Sequence, residues 1–491
     1  MVPGLPAGWR TPHAAGLSWF AVAESENAVA PRAALVILLV LLPGAPGYAQ
    51  QPDPGAQTDL GHQAVLTGDW GGLRSALLQY GVTINASYTA EVFANTAGGM
   101  KRGASYDGLF YSQIDADLEK LIGWQGARVH ASMLQGHGPW MSQGWVGNLL
   151  DVSGTITEPP STRLYELWLQ QKLFDGALSI RAGIGGADSE FMLSPTAALF
   201  LNSTFPWPDW MAVDLPGGGP AYPLSAPFVR VKFSAAEQGF YGQAAVFSGD
   251  PTGHDGSNSP NTGIPSGTVV SFNGGVFVIG ELGYTMNQVK DAKALPVTFK
   301  IGGWYQSSHR FQDQRFDTVG VSLASPASNG VPLNHDGDLG VYGVIDAMLY
   351  RARTGGTLSA FARLGGGSPG DRNLVSFEGD AGLSYKGLIP ARADDTSGIA
   401  FGIARIGANA RRLDQDIRFF NGNPSFPVRD FEAVLEVTYQ AQVTPWMTLP
   451  ASVSASMATR PGPIASAILR HDRPVIRRSE PSATQMPMRP A

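Results

Sequence analysis

The chain has 491 residues, a formal net charge of −6, 15% charged residues, 61 glycines and no cysteine. An average soluble protein has about 25% charged residues and close to 7% glycine. The lack of cysteine excludes a disulfide framework, a cysteine-based zinc site and thiol catalysis. The weak negative charge, without a basic block, argues against nucleic-acid binding. A chain of low charge and high glycine content favours a large β structure.

The N-terminal segment has the pattern of a secretory signal. Its longest apolar run, Ala33 to Leu42, is too short for a membrane-spanning helix, which takes about 20 residues, but it fits the hydrophobic region of a signal peptide. The small residues Gly47 and Ala49 predict cleavage near Ala49, so residues 1–49 form an N-terminal extension and signal peptide. A buried core helix is the alternative. Because the part before the run is unusually long, we expect a start codon assigned too far upstream.

Residues 50–81 predict a periplasmic leader. The first half is polar and contains proline, which is typical of a flexible segment. The second half places Leu73, Leu77 and Leu78 on one face of a short amphipathic helix. From the residues alone, we expect this helix to act as a folding cap that covers barrel residues without touching a solute.

From Val82 onward, apolar and polar residues alternate with a period of two. The stretch from Val82 to Phe93, VTINASYTAEVF, is the clearest example. The pattern predicts fourteen complete strands and the start of a fifteenth at Trp446. Short and long connections alternate between them, which is typical of outer-membrane barrels with short periplasmic turns and long outer loops. We therefore predict an all-β transmembrane antiparallel barrel over residues 82–449, of the size class that encloses an aqueous channel.

Charged residues recur on one face of the predicted strands only. A lipid-facing surface requires this, because a midplane Arg or Lys there costs about 2–4 kcal/mol. The inward face mixes acids and bases, so we expect no strong selection for anions or cations, and neutral polar solutes as the best match.

The period-two pattern stops at Leu449. Residues 450–491 are rich in proline, serine and arginine, and we expect a non-barrel tail that is disordered or frameshifted. A soluble extension on a fourteen-stranded barrel is the alternative. Because an unpaired strand edge is unfavourable in lipid, the tail leaves open whether the barrel closes and whether the chain is a non-functional remnant.

Several collinear segments resemble the carbohydrate-selective porin family, often called OprB-like. The segments with this similarity include LTGDWGGLRSALLQYGVTINASY (66–88), PPSTRLYELWLQQ (159–171), LFLNSTFPWP (199–208), DLPGGGPAYPL (214–224) and PVRDFEAVLEVTYQAQVTPWMTL (427–449). The resemblance implies a 16-stranded outer-membrane barrel that admits glucose and other carbohydrates by facilitated diffusion. It also implies that the N-terminal segment narrows the periplasmic mouth, which is the alternative to a folding cap for the helix at Leu73, Leu77 and Leu78. It also implies partners in outer-membrane lipid and in the outer-membrane assembly machinery.

The third long connection, residues 185–227, is the first candidate for selectivity. By analogy with general porins, in which the third outer loop folds into the lumen, it forms the constriction. It offers Trp207 and Trp210 as apolar faces for a sugar, and Asp188 and Glu190 as partners for hydroxyl groups. The alternative is that the aromatic residues fill the loop's own core and the acids cap turns.

The strand RLYELW offers Glu166 and Trp168 on the inward face, while Tyr165 is expected to point outward. Polar partners across the lumen are expected from the basic residues Arg128, Arg181, Arg230 and Lys232. The alternative is a set of charges that only keeps the channel wet.

No motif for a nucleophile, a metal or a phosphate group appears in the sequence, so we expect no enzyme and no cofactor. The competing function is an outer-membrane barrel enzyme such as a lipase or protease, which needs a nucleophile and a base on one face. The sequence leaves the particular carbohydrate and the oligomeric state open.

Overall fold

A computed structural model describes residues 63–155, 160–235, 238–252, 266–268, 270–289, 292–353 and 355–458. The predicted signal peptide with its cleavage position near Ala49, the first part of the leader and the tail beyond Ala458 lie outside these residues. In the described part of the chain, no helix is both long enough and apolar enough to cross a membrane.

Fifteen antiparallel strands form one sheet in which each strand pairs with its neighbours along the chain. A separate two-stranded sheet, β10 and β11, lies in the connection between β9 and β12. The strands are β1 (Val82–Asn95), β2 (Gly103–Asp117), β3 (Ala127–His137), β4 (Ser161–Leu173), β5 (Leu178–Gly185), β6 (Ala226–Ser234), β7 (Gly239–Ser248), β8 (Val276–Met286), β9 (Val297–Gln306), β10 (Phe311–Asp317), β11 (Pro332–His335), β12 (Asp338–Arg351), β13 (Thr357–Ser368), β14 (Val375–Lys386), β15 (Thr396–Ile406), β16 (Phe431–Thr444) and β17 (Met447–Ala458).

Helices occur only between the strands or before them within the described residues. The α-helices are α1 (Leu73–Gln79), α2 (Leu118–Ile122), α3 (Asp209–Asp214) and α4 (Ala408–Phe420), and the other helical turns are Trp70–Gly72, Ser142–Val146, Ala187–Ser189, Ala197–Leu199 and Pro216–Gly218. The predicted leader helix is thus α1, which packs against β1. Arg74 holds it there by donating a hydrogen bond to the carbonyl of Ile84 at 2.9 Å.

The period-two pattern separates the two faces of the sheet as expected. On β6, Val229, Val231 and Phe233 are 51%, 44% and 55% exposed, whereas the intervening Arg230 is 2% exposed. Successive side chains of a strand point to opposite faces, so the apolar residues cover the outer surface and the charged residues lie inside. The predicted all-β architecture is confirmed.

The sheet is rolled, because one loop contacts both of its ends. We call residues 138–160, between β3 and β4, loop L2. Ser153 donates a hydrogen bond to Glu91 on β1 at 2.9 Å, and the N–H of Leu150 donates to Glu432 on β16 at 2.8 Å. Three residues of chain span at most about 11 Å. The first and the penultimate strands of the sheet therefore lie close together.

The last strand corrects our boundary at Leu449. Strand β17 continues to Ala458 in register with β16, so the barrel domain extends into the segment that we expected to be a non-barrel tail. Its outward face carries the apolar residues Leu449, Ala451, Val453, Ala455 and Met457, and its inward face carries Ser452, Ser454 and Ser456. The hypothesis of a frameshifted or disordered tail now concerns residues 459–491, outside the described part of the chain.

Two connections are shorter than the sequence predicts. Residues 96–102 join β1 to β2, and residues 369–374 join β13 to β14, because the flanking strands extend beyond their predicted ends. The strict alternation of short and long connections is therefore wrong at these two places. Of the sixteen strands that the family resemblance implies, fifteen lie in the sheet of the described residues, where β1 pairs only with β2 and β17 only with β16.

Candidate functional site in the interior of the sheet

The connection between β5 and β6, residues 186–225, crosses the interior of the rolled sheet, and we call it loop L3. Carboxylates on the inner face of distant strands hold its near half. Glu281 on β8 accepts a hydrogen bond from the N–H of Met192 at 2.9 Å. Asp346 on β12 accepts from the N–H of Thr196 at 3.0 Å. The interior is therefore occupied by ordered backbone along this part of the wall.

The far half of loop L3 is held in the same way. Glu378 on β14 accepts from the N–H of Trp210 at 2.7 Å. Glu436 on β16 accepts from the N–H groups of Leu201 and Asn202 at 2.9 and 3.0 Å. Loop L3 is thus anchored to the inner face of four strands, which are β8, β12, β14 and β16.

These anchors change the expected role of the inward charges. Glu281, Glu378 and Glu436 are 2%, 2% and 0% exposed, so they face loop L3 and not open water. A buried carboxylate is costly unless it is hydrogen-bonded, and the backbone N–H groups of the loop satisfy these ones. The part of the inner wall that remains for a solute is consequently smaller than the strand pattern implies.

Four polar residues lie side by side in one row, which we call the lumen row. It consists of the predicted residues Arg128, Arg181 and Arg230 and of Gln170, which was not predicted. Strand register pairs Arg128 on β3 with Gln170 on β4, Gln170 with Arg181 on β5, and Arg181 with Arg230 on β6. Adjacent strands are about 4.8 Å apart, so the lumen row spans four strands at one level. Three guanidinium groups at this spacing repel one another unless acceptors separate them.

Glu190 of loop L3 supplies the acceptors. One of its carboxylate oxygens lies 2.7 Å from Arg181 Nη1 and the other lies 2.7 Å from Arg230 Nε. The amide oxygen of Gln170 accepts from Arg181 at 3.0 Å and from Arg230 at 3.3 Å. Loop L3 and the lumen row therefore form one network, in which a loop carboxylate bridges two wall cations.

A stack of three planar groups lies beside the lumen row. The ring of His130 is stacked on Trp168 with centroids 4.7 Å apart, and the guanidinium of Arg181 lies 3.8 Å from the centroid of the Trp168 ring. His130 donates to Asp115 at 2.9 Å, and its other ring nitrogen is 3.5 Å from Glu166. The structure thus places Arg181 beside Glu166 and Trp168, on the neighbouring strand β5, and not across the lumen as the sequence analysis expected.

The two tryptophans of loop L3 are less accessible than a solute-contacting role requires. Trp210 is 1% exposed and Trp207 is 8% exposed. The Trp210 ring fits against Gly340 and Gly365, where an added Cβ would lie 2.5 and 2.8 Å from it, and its centroid is 5.6 Å from that of Trp304. Trp210 therefore packs into a notch of the wall and offers a solute almost no surface.

Asp188 joins the two ends of loop L3. It accepts hydrogen bonds from the N–H of Tyr222 at 3.0 Å and from the hydroxyl of Tyr165 at 3.4 Å. Burial raises the pKa of the Asp188 carboxyl to about 6, although the bond from Tyr222 opposes this. The expectation that Tyr165 points outward is wrong, because a bulge opposite Ser132 and Met133 turns its side chain inward, where it is 7% exposed.

Two lysines continue the basic surface beyond the lumen row. Lys232, two residues after Arg230, lies with its ammonium 4.8 Å from the centroid of the Tyr241 ring. Lys300 on β9, which the site prediction omitted, donates to the carbonyl of Leu193 at 2.8 Å. Both side chains are half-buried. The sequence prediction also missed Gln170, although it shares the inward face of β4 with Glu166 and Trp168.

Among the described residues, no group of three or more His, Cys, Asp or Glu is arranged to hold a metal ion.

Comparisons with known proteins find porins that are similar to this chain in sequence and in structure. A family model described as "Carbohydrate-selective porin, OprB family" matches residues 101–455, which is more than half of the chain. Porin B of Pseudomonas aeruginosa is 26% identical over 415 residues, covering 78% of this chain and 84% of that protein. The high-pH structure of Pseudomonas putida OprB superposes with a TM-score of 0.72 at 24% identity, covering 81% of this chain and 94% of that one. The superposition confirms the predicted porin barrel fold.

Proposed function

The chain belongs to the OprB family of carbohydrate-selective porins, and on this premise we propose that it is an outer-membrane channel through which glucose-like sugars or polyols diffuse. The observation that carries the proposal is the lumen row with Glu190 against it. Solutes pass between this network and the remaining inner wall. The channel holds no cofactor and performs no chemical step.

The lumen row has the chemistry that sugar hydroxyls need. Each hydroxyl both donates and accepts a hydrogen bond. The row offers guanidinium donors from Arg128 and Arg181, an amide from Gln170 and a carboxylate from Glu190. The Arg128 side chain is 53% exposed and those of Arg181 and Glu190 are 17% and 13% exposed. Contacts at such partly exposed groups are weak and exchangeable, which transport requires.

Two buried indole N–H groups support a wet pathway through the interior. The Nε1 atoms of Trp168 and Trp207 are buried and have no hydrogen-bond acceptor among the described residues. Because a buried N–H is costly without an acceptor, water or a solute hydroxyl is the natural partner. The faces of the Trp168 ring are taken by His130 and Arg181, so we assign its edge, and not its face, to the solute.

Loop L3 sets the width of the pathway in this proposal. Trp210 is then an anchor that fixes the loop, while Asp188 joins its two ends and Trp207 presents only its N–H. Arg230, which is 2% exposed, orients Glu190 and does not contact solutes itself.

The proposal is tested first on the full chain in outer-membrane fractions. A closed barrel migrates differently on gels with and without boiling, so the mobility shift selects folded protein. Folded protein in liposomes is then exposed to glucose, sorbitol and the trisaccharide raffinose. We expect fast swelling with the first two and slow swelling with raffinose. Equal rates for all three, or no swelling by folded protein, would contradict a sugar channel of this width.

A matched pair of variants tests the site. Gln170→Leu removes the amide that joins the lumen row, whereas Gln171→Leu makes the same change one residue later, where the side chain bonds the carbonyl of Gln125 in the turn. We expect Gln170→Leu to slow glucose swelling by roughly two- to tenfold, the equivalent of one hydrogen bond of about 0.5–1.5 kcal/mol. Gln171→Leu should leave the rate near that of the natural chain.

A further inference from the structure

Five large apolar residues are exposed together at one end of the barrel. Leu121, Ile122 and Trp124 lie where β2 leads into β3, and Leu173 and Phe174 lie where β4 leads into β5. Short turns of this kind form the periplasmic end of outer-membrane barrels. We call these five residues the rim patch. Exposed apolar residues that adjoin one another mark a contact with a partner or with a membrane.

The two connections of the rim patch are joined to each other by hydrogen bonds. The N–H of Lys172 donates to the carbonyl of Gly126 at 2.8 Å, and the side-chain amide of Gln171 donates to the carbonyl of Gln125 at 2.8 Å. Helix α2, in the first connection, is capped at its N-terminus by the side chain of Asp117. The rim patch is therefore one ordered surface and not two separate loops.

The rim patch continues the apolar outer wall of the barrel. Strand register pairs Leu173 on β4 with Leu178 on β5, and Leu178 with Phe233 on β6. Phe233 belongs to the exposed apolar face of β6, so Leu173 lies on the same outer surface. Phe174 follows it directly at the end of the strand. A surface that faces lipid along the strands thus extends into the turns.

Neither packing nor backbone conformation favours a phenylalanine at position 174. The side chain of Phe174 is 77% exposed. Phe174 and Asp175 both have a φ of 53°, in the left-handed region that is unfavourable for bulky residues. Turns of this form usually carry Asn, Asp or Gly at such positions. A strained backbone that presents an exposed aromatic ring is explained by a contact outside the chain.

The charges beside the rim patch nearly cancel. Two lysines flank it, Lys120 and Lys172, together with the three acids Asp117, Glu119 and Asp175. This balance gives no strong field for a partner of either sign. A lysine beside an apolar surface keeps its methylene groups in the apolar region and its ammonium in water or among headgroups. The rim patch therefore matches an apolar phase with a polar boundary.

We propose that the rim patch inserts into the phospholipid leaflet on the periplasmic side of the outer membrane. Ile122 and Phe174 contact the acyl chains, and Trp124 lies at the level of the headgroups, where an apolar ring with a polar N–H is favoured. The patch extends the lipid contact of the β2 to β5 side beyond the paired strands and fixes the depth of the barrel on that side. This contact is independent of the solute that the channel carries.

The test uses the lack of cysteine in the natural chain. Ile122→Cys and Phe174→Cys are made separately in the full chain and labelled with a nitroxide. Protein with the gel mobility shift is reconstituted into dioleoylphosphatidylcholine vesicles. Electron paramagnetic resonance then measures the collision of the nitroxide with oxygen, which concentrates in lipid, and with a water-soluble nickel chelate. Arg353→Cys, in the exposed turn between β12 and β13, is the control in water, and Val231→Cys on the outer wall is the control in lipid.

The expected result follows from the transfer of apolar side chains out of water. Burial of a side chain of this size favours the inserted position by roughly tenfold or more. We therefore expect the ratio of oxygen to nickel collisions at Ile122→Cys and Phe174→Cys to exceed that at Arg353→Cys by about tenfold, and to approach that at Val231→Cys. Phe174→Asn suits the left-handed backbone and removes the ring. It should leave folding intact and lower the collision ratio at Ile122→Cys severalfold.

Other occupants of the rim patch give different results. Collision ratios at both positions equal to that at Arg353→Cys would overturn the inference, because the patch would then lie in water. Spectral broadening that disappears on dilution with unlabelled protein would overturn it in favour of contact with a second copy of the chain. A lipid-like ratio in protein that admits no glucose would support the membrane contact and overturn only the proposed sugar channel.

Discussion

Glu190→Gln is the most informative single change in the interior, because Glu190 joins loop L3 to the wall. The carboxylate lies between Arg181 and Arg230, which are paired directly across β5 and β6. Replacing it with an amide keeps the shape and removes the charge. Two guanidinium groups on adjacent strands then face each other without the anion between them.

The expected cost follows from burial. Removing one partner of a buried ion pair costs about 3–5 kcal/mol. The side chain of Arg230 is 3% exposed, so its stranded charge falls in this range. Gln170 still accepts from both guanidinium groups, which places the loss near the lower end, at about 3 kcal/mol. This loss destabilises the attachment of loop L3 to the wall and not the sheet itself, since the sheet keeps its own hydrogen bonds.

The measurement combines single-channel recording with the temperature at which the gel mobility shift is lost. Glu190→Gln should give larger and noisier conductance because loop L3 detaches, with a transition temperature lowered by a few degrees. Adding Arg230→Gln removes the stranded cation and should restore part of the loss. Glu119→Gln, the same change in the exposed helix α2, is the control. Natural conductance and an unchanged transition temperature for Glu190→Gln would refute the bridging role.

Three further changes test separate parts of the structure. Trp210→Ala should raise conductance by loosening loop L3, since truncating a buried tryptophan costs about 3–5 kcal/mol; conductance at fixed salt measures it. Hydrogen bonds from Arg315 and Ser322 hold the pKa of Asp416 below its ordinary value despite partial burial. The docking of the outer β10–β11 hairpin on α4 should therefore persist at neutral pH and be lost as pH falls below about 4, with Asp416→Asn reproducing the loss at pH 7 in a limited-proteolysis assay. The pKa of Asp188 is raised to about 6, so its ionisation destabilises loop L3 as pH rises through 6, and Asp188→Asn should abolish that dependence in thermal unfolding.

Strand alternation is readable from the sequence wherever the outward residues are large and apolar. On β6, the residues Val229, Val231 and Phe233 alternate with charged neighbours such as Arg230, and this order alone defines both faces of the strand. The same pattern did not predict strand β17 because its outward face includes Ala451 and Ala455. Alanine contributes little apolar area and has a low strand propensity, so pairing with β16, and not local preference, fixes the strand.

A bulge defeats the pattern in a different way. On β4, one extra residue is inserted where Ser132 and Met133 pair with Glu166 and Leu164. A bulge turns the strand locally and re-aims side chains, so Tyr165 lies on the same side as its neighbour Glu166. No residue type marks this position, since the insertion depends on the register of the partner strand.

The role of the inward acids is the larger difference between the sequence prediction and the structure, and it also has a physical reason. An acid that faces water and an acid that holds a loop occupy identical positions in a period-two pattern. Which role applies depends on the path of loop L3, and the loop contributes mainly backbone N–H groups, which every residue except proline has. Glu436, for example, binds the consecutive N–H groups of Leu201 and Asn202, and nothing in those two side chains indicates the contact.

Anchoring through the backbone has a consequence for how such a channel is tuned. Glu378 accepts from the N–H groups of Asp209 and Trp210, so a change in a loop side chain leaves that hydrogen bond intact unless it introduces proline. The wall therefore fixes the path of loop L3, while the loop side chains set what the path presents. Glu190 differs from the other contacts because its side chain, and not its backbone, meets the wall cations. A substitution at Glu190 alters the field and the anchorage together. Conductance and charge preference should therefore both change in Glu190→Gln, whereas Trp210→Ala should change conductance alone.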